Sequence, residues 1–256
     1  ISGGLVGSEM CIRDSHVCGT VAGQFYGWAN EANIYNLAVT DPWPSGQDVG
    51  AYLIFDYLRA FHQSKPVNPL TGKKNPTISN HSYGGIRYVN ENEDPLNLAD
   101  IAEVVYRGTS YTPSSPNPSG WTEAGLETDC GIRFNLSEYP SYSSFIAADV
   151  QDAIDDGVVV IGAAGNDNLL MDVPGGIDWD NRIQMNNGYG LIYYNRGAWP
   201  NSPDTDVINV GALSDHSEFR RSLILCLVLA SQCLLLVMRF FLLMVTLVEV
   251  MTPNIL

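Results

Sequence analysis

The chain has 256 residues, with 13 Lys and Arg against 28 Asp and Glu and a net charge of −15. That balance excludes nucleic acid, whose binding relies on Lys and Arg neutralising phosphates, and it speaks against an anionic membrane surface. A hydrophobic content of 45% with 24 Gly suits a soluble α/β domain with many tight turns. An acidic surface fits saline or extracellular water and can hold Ca²⁺ through carboxylates and carbonyls. No EF-hand loop and no His/Cys metal spacing occurs. Of the five cysteines, Cys11, Cys226 and Cys233 lie in the unusual ends described below. Cys18 and Cys130 are either buried thiols or a disulfide, and spacing does not decide between them.

In chain order, residues 1–15 read as a non-native leader. Ser8-Glu9-Met10-Cys11-Ile12-Arg13-Asp14-Ser15 looks like a translated adapter, and Leu5-Val6 is far too short for the apolar core of a signal peptide. His16 to Gly23 is small and Gly-rich and reads as the first turns of a tightly packed helix. Residues 32–39 read as a strand. Residues 47–64 read as a helix, with Ile54, Leu58 and Phe61 on one stripe and Pro66 after its end. Residues 77–81 form a short strand that runs into Ser82-Tyr83-Gly84-Gly85. Residues 86–142 are rich in Pro, Ser, Asn and Gly and read as a long decorated loop. Ser143 or Ser144 caps a helix with an inner face of Ile146, Val150, Ala153 and Ile154, closed by Gly157.

Val158-Val159-Val160-Ile161 has no alternation, so it predicts a strand buried on both faces, ending in Gly162-Ala163-Ala164-Gly165-Asn166. An Asn at that point would stand where open α/β sheets hold their ligands, at the carboxyl ends of the strands. Residues 167–203 again read as loop, and residues 207–212 as a last strand. Strands and helices alternating with short joints predict a parallel sheet with right-handed crossovers.

The chemistry changes abruptly from Ser222 onward. No Gly follows Gly211 and no Asp follows Asp215, and Leu223 to Met238 carries no charge. The direct reading is a transmembrane segment over 223–248, broken by Arg239. The preferred reading is a frameshifted tail over 222–256. Codons permitted from Cys226 onward, taken one base along, spell F-G-P-x-V-S-M-F-A-P-G-D-x-I-L-S, which accounts for the break in composition.

Several of these segments together resemble the subtilisin-like serine peptidases. His16 to Gly23 is similar to the second half of the family's H-G-T-H-V-x-G-T-x-A-G helix. Asn80-His81-Ser82-Tyr83-Gly84-Gly85 is similar to N-x-S-x-G-G, residues 159–166 to V-V-x-A-A-G-N, and residues 207–212 to V-I-x-V-G-A. The hidden frame adds F-G-P-x-V-x-x-F-A-P-G. The order agrees across residues 16–221, with long insertions near 86–142 and 167–203.

The resemblance implies a three-layer α/β sandwich around a mostly parallel central sheet, incomplete at both ends. It also implies peptide-bond hydrolysis by a Ser/His/Asp triad. Asn166 would donate its side-chain N–H to the oxyanion, a contact whose loss costs roughly 10²–10³ in turnover. Ser82, Tyr83, Gly84 and Gly85 would bind substrate, pairing with its backbone as an added strand and leaving room for the side chain before the scissile bond. The implied partner is a protein or peptide substrate, in an extracellular setting, with no organic cofactor and room for structural Ca²⁺.

The departures are equally specific. Arg13 stands where the family has its catalytic His, and His16 matches a structural His. Arginine stays protonated and cannot act as a base. The triad Asp belongs upstream of residue 1 and the triad Ser downstream of Leu256. Gly108-Thr109-Ser110 imitates the nucleophile motif but precedes Asn166, which is the wrong order. His62, His81 and His216 read as structural. The chain as written is therefore expected to be inactive. A non-catalytic peptide-binding domain and a membrane-anchored protein are the competing readings.

Overall fold

A computed structural model describes residues 17–25, 27–37 and 51–212, together with three short strand segments at 227–228, 233–236 and 245–249. Arg13, His16, His216 and most of the tail lie outside the described residues. The fold is mixed α/β with a partly parallel sheet. In chain order the strands are β1 (Asn33–Leu37), β2 (Thr77–His81), β3 (Ile86–Tyr88), β4 (Ile101–Tyr106), β5 (Thr109–Tyr111), β6 (Glu138–Pro140) and β7 (Val158–Ala163). They continue with β8 (Leu170–Met171), β9 (Arg182–Met185), β10 (Leu191–Tyr193), β11 (Ile208–Ala212), β12 (Leu227–Val228), β13 (Cys233–Leu236) and β14 (Val245–Glu249). The longer helices are α1 (Ala51–Ser64), α2 (Glu123–Cys130) and α3 (Ser144–Asp155), and residues 17–22 are also helical.

The larger sheet has the order β1-β14-β2-β7-β11-β13. β2, β7, β11 and β13 are parallel neighbours, whereas β14 is antiparallel to both β1 and β2. Helix α3 starts at the Ser143 hydroxyl, which accepts from the Ile146 N–H. It stops before Gly157, whose φ of 101° a residue with a β-carbon adopts only under strain. Ile54, Phe55 and Leu58 of α1 and Val150 and Ala153 of α3 pack on Val158 and Val160 of β7. Both helices therefore cover one face of the sheet. On the opposite face Val159 is 37% exposed, Ile161 is half-buried and Ala163 is exposed. This corrects the expectation of a strand buried on both faces. An unbroken apolar run cannot report whether a layer covers its second side.

On the helical face, β2 supplies Thr77, Ser79 and His81, all fully buried. They sit beside Val158, Val160 and Gly162 in register. The polar row is satisfied internally. His62 Nδ1 lies 2.8 Å from Thr77 Oγ1, Ser79 Oγ 2.8 Å from His81 Nε2, and His81 Nδ1 3.1 Å from the Tyr83 hydroxyl.

Segments 86–142 and 167–203 are not loops. They fold together into a four-stranded antiparallel sheet, β10-β9-β4-β5. Its core joins Val104, Ile183, Met185 and Ile192 to Leu126 and Cys130 of α2 and to Tyr139 and Tyr194. The β4–β5 hairpin turns on Arg107 (φ 50°) and Gly108 (φ 79°), the double positive φ that a two-residue turn requires. The strands are short, and Gly or Asn stands directly beside β5, β9 and β10, so their periodicity is lost in a window of ordinary length.

Cys18 and Cys130 are not joined to each other, and burial pushes the Cys130 thiol up to about 11. Among the described residues no helix is long and apolar enough to cross a membrane.

Candidate functional site

β2 and β7 are adjacent and parallel, with Asn80 opposite Ile161 and His81 opposite Gly162. The chain therefore leaves both strands at the same carboxyl edge. Ser82 to Gly85 continues from β2, and Ala164-Gly165-Asn166 continues from β7. Gly165 has φ 88°, which turns the backbone so that Asn166 is exposed at this edge. The two segments singled out from sequence thus stand side by side, although they are far apart in the chain.

The extension of β2 keeps the alternation of a strand. The Tyr83 carbonyl accepts from Asn201 Nδ2 at 2.7 Å. The Gly85 N–H donates to the Trp199 carbonyl at 2.7 Å, and the Gly85 carbonyl accepts from the Ser141 N–H at 2.8 Å. The odd-numbered residues therefore face inward and are paired. Ser82 and Gly84 alternate with them, and among the described residues neither forms a turn, loop or cap hydrogen bond through its backbone. The Ser82 hydroxyl accepts from Asn80 Nδ2 at 2.9 Å. Tyr83 is buried, and its ring lies edge-on to Trp199 with centroids 6.0 Å apart.

The space over the two glycines is occupied. A β-carbon on Gly85 would overlap the Trp199 indole, and one on Gly84 would lie 2.9 Å from the Ala198 methyl. The volume expected to admit a substrate side chain therefore holds Ala198 and Trp199, with a cis bond joining Trp199 to Pro200. Asn201 continues this segment. Its Oδ1 lies where a β-carbon on Gly162 would be. Trp199 and Asn201 were invisible as site residues in the sequence, because both lie in a Gly- and Asn-rich stretch with no periodic pattern.

The edge is acidic. Burial raises the Asp167 carboxyl, next to Asn166, above its ordinary range. Burial, and then the charges of Asp167 and Glu93, raise Glu138 on β6. His81 lies directly before Ser82 but is fully buried and stacked on Phe55, and burial depresses it to about 3. It is a neutral core residue and does not reach the edge. His62 is half-buried, bound to Thr77, and also depressed by burial and by Lys65 and Lys74. Ser110 is exposed on β5, and its hydroxyl donates to Glu103. Among the described residues no imidazole partners it.

Among the described residues no group of three or more His, Cys, Asp or Glu is arranged to hold a metal ion. A separate pocket of about 400 Å³, lined by Asn90, Glu91, Asp94, Asp100, Asn187 and Tyr189 among others, contains none of the edge residues. Comparison with family models, characterised proteins and solved structures finds no match to this chain.

Proposed function

We propose that the chain is a fragment of a subtilisin-like serine endopeptidase, with residues 16–221 as its partial peptidase domain, and that it is inactive as it stands. One observation carries the reading. Ser82–Gly85 and Asn166 leave neighbouring parallel strands at one carboxyl edge, although they are far apart in sequence. A peptidase needs both at once: a strand edge that holds the substrate backbone and an amide that faces the carbonyl under attack. The alternation at Tyr83 and Gly85, with Ser82 and Gly84 turned the other way, supports the first. The exposed Asn166 after the positive-φ Gly165 supports the second.

In the intact parent, a Ser hydroxyl attacks the peptide carbonyl, a His takes its proton, and an Asp orients the His. Asn166 donates to the oxyanion, and Ser82 and Gly84 pair with the substrate backbone. None of the three triad residues occupies a matching position here, so binding groups remain without a nucleophile. The parent's complete sheet is the three-layer sandwich, its substrates are proteins or peptides, and its setting is extracellular. The non-catalytic peptide-binding alternative shares the Ser82–Gly84 edge. It gains nothing from an exposed amide at Asn166, which places it second.

Resequencing the locus upstream of codon 16 and through codon 222 tests the reading. The expected result restores an Asp strand, an H-G-T-H motif and a G-T-S motif after F-A-P-G. The repaired protein then reacts with a fluorophosphonate at that Ser. A locus that reads as the present sequence, or a repaired chain that stays unlabelled, overturns it.

A further inference from the structure

One dipeptide of the antiparallel module holds a nucleophile and an electrophile side by side. Asn187-Gly188 is the only Asn–Gly step in the chain. It lies in the turn between β9 and β10, and both residues are exposed. Gly188 has φ 91°, and no atom beyond its chain neighbours lies within 4 Å of the place a β-carbon would take. Its backbone nitrogen is therefore open to approach, as a residue with a side chain would not leave it. Among the described residues the Gly188 N–H makes no turn, loop or cap hydrogen bond.

The amide beside it is held and polarised. Asn187 Oδ1 accepts from the Tyr189 N–H at 3.2 Å, and Asn187 Nδ2 donates to the Val89 carbonyl at 2.9 Å. A donor on the amide oxygen draws electrons from Cγ and receives the negative charge that grows on that oxygen when a nucleophile adds. The neighbouring Asn186 lacks this arrangement. The residue after it is Asn187, whose side chain crowds the nitrogen, and its own amide donates to the Ala99 carbonyl at 2.8 Å.

We propose that Asn187 is a self-modification site, at which the folded chain converts its own asparagine to an acid. The Gly188 nitrogen adds to Asn187 Cγ and closes a five-membered imide. The N–Cγ bond forms, the Cγ–Nδ2 bond breaks, and ammonia leaves with the proton that Gly188 carried. Water then opens the ring at either carbonyl and leaves aspartate or isoaspartate, so water is the one co-reactant. The product alters its surroundings in two ways. Asn187 lines the pocket of about 400 Å³ together with Glu91, Asp94 and Asp100, so a further carboxylate enters that pocket. The donor to Val89 becomes an oxygen facing an oxygen, which removes one tie between segments 86–142 and 167–203. The reaction is independent of the peptidase reading.

The test incubates the full folded chain in mildly alkaline buffer and follows it by peptide mass spectrometry, with an isoaspartate-selective methyltransferase as a second readout. The expected result is the mass gain of an amide-to-acid exchange on the peptide that holds residue 187. It grows with time, carries methylatable isoaspartate, and is lost in Asn187→Gln, where the same attack would need a larger ring. A native chain with no gain at residue 187 overturns the proposal, whether or not the urea-unfolded chain reacts, because the folded turn then protects the amide. A gain at other asparagines as fast as at residue 187 overturns it too, because the turn would then confer nothing.

Discussion

The Asn201 side chain joins the two segments of the candidate site: its amide donates to the Tyr83 carbonyl at 2.7 Å, and its oxygen fills the space beside Gly162. Tyr83 follows β2 and Gly162 lies on β7, so one buried amide ties both strands together where they leave the sheet. Gly162 is required here because any β-carbon would displace Asn201. Gly162→Ala is expected to cost about 1–3 kcal/mol through overpacking. Asn201→Ala is expected to cost a similar amount, about 1–3 kcal/mol, by leaving the buried carbonyl unpaired. The decisive result is their coupling. In an Asn201→Ala background the two closest overlaps are gone and only the Cβ contact at 3.0 Å remains, so Gly162→Ala costs less there than in the parent. Urea-unfolding midpoints measure all four proteins, and strictly additive costs would contradict the contact.

Trp199 holds the same edge from the other side, through its carbonyl on the Gly85 N–H and its indole over Gly85. Gly85→Ala pushes a methyl into the indole and is expected to lose about 1–3 kcal/mol. Trp199→Ala empties the same space and is expected to lose about 3 kcal/mol. In the double variant the methyl partly fills the void, so the combined loss falls short of the sum. Thermal unfolding with near-ultraviolet circular dichroism reads both stability and the ordered indole, and a fully additive loss would separate the two residues.

How much of this was legible beforehand depends on the length of each signal. β2, β7, α3 and their caps are sharply bounded, so Thr77–His81, Val158–Ala163 and a cap at Ser143 or Ser144 could be read directly, and the structure places the cap at Ser143. Their shared edge followed from the parallel topology. The antiparallel module was missed because strands such as Arg182–Met185 and Leu191–Tyr193 are only a few residues long among turn formers. Pairing between segments 86–142 and 167–203, and not local propensity, makes them strands. Asn201 and Trp199 were missed for a related reason, since their roles exist only through partners remote in sequence, Tyr83, Gly85 and Gly162. The less buried side of β7 was misjudged because sequence shows what a strand could bury and not what is there to bury it.

An ion pair anchors the β4–β5 hairpin of the antiparallel module. Arg107 Nε donates to Asp178 Oδ1 at 2.8 Å, and Nη2 donates to Oδ2 at 3.1 Å. The Asp178 side chain is only 3% exposed, so removing the cation leaves a buried charge. Arg107→Met is expected to destabilise by about 3 kcal/mol at neutral pH. The hydrogen bond and charge of Arg107 hold the Asp178 carboxyl below its ordinary value. A depressed carboxylate stabilises above its unfolded pKa, near pH 4, and loses that contribution as pH falls through the lower folded value. The gap between parent and variant should therefore be constant above about pH 4 and close below it. A gap that persists unchanged at low pH would assign the loss to packing.

His81 should give the opposite ionic case within the same fold. It is fully buried between Phe55 and Tyr83, and burial lowers it to about 3. The unfolded chain takes up the proton near pH 6.5 and the folded chain does not until about 3. Its contribution is thus complete above about pH 6.5 and is lost as pH falls toward 3. A slope in unfolding free energy between those limits is expected, flattened in His81→Leu. An unchanged slope in that variant would assign the acid sensitivity to other groups.

Ser110 decides whether the chain as written has any nucleophile. Its G-T-S context imitates one, but its hydroxyl donates to Glu103 on the neighbouring strand, exposed and without an imidazole. A hydroxyl of ordinary acidity needs a base that takes its proton and a donor set that receives the oxyanion. Asn166 follows β7 of the larger sheet, while Ser110 sits in the antiparallel one. A fluorophosphonate incubated with the folded chain should therefore leave no adduct, and Ser110→Ala should change neither labelling nor stability beyond about 0.5 kcal/mol. Intact-mass spectrometry reads the adduct directly. A stoichiometric label that disappears in Ser110→Ala would relocate the chemistry to the antiparallel sheet and remove the reason for regarding this chain as inactive.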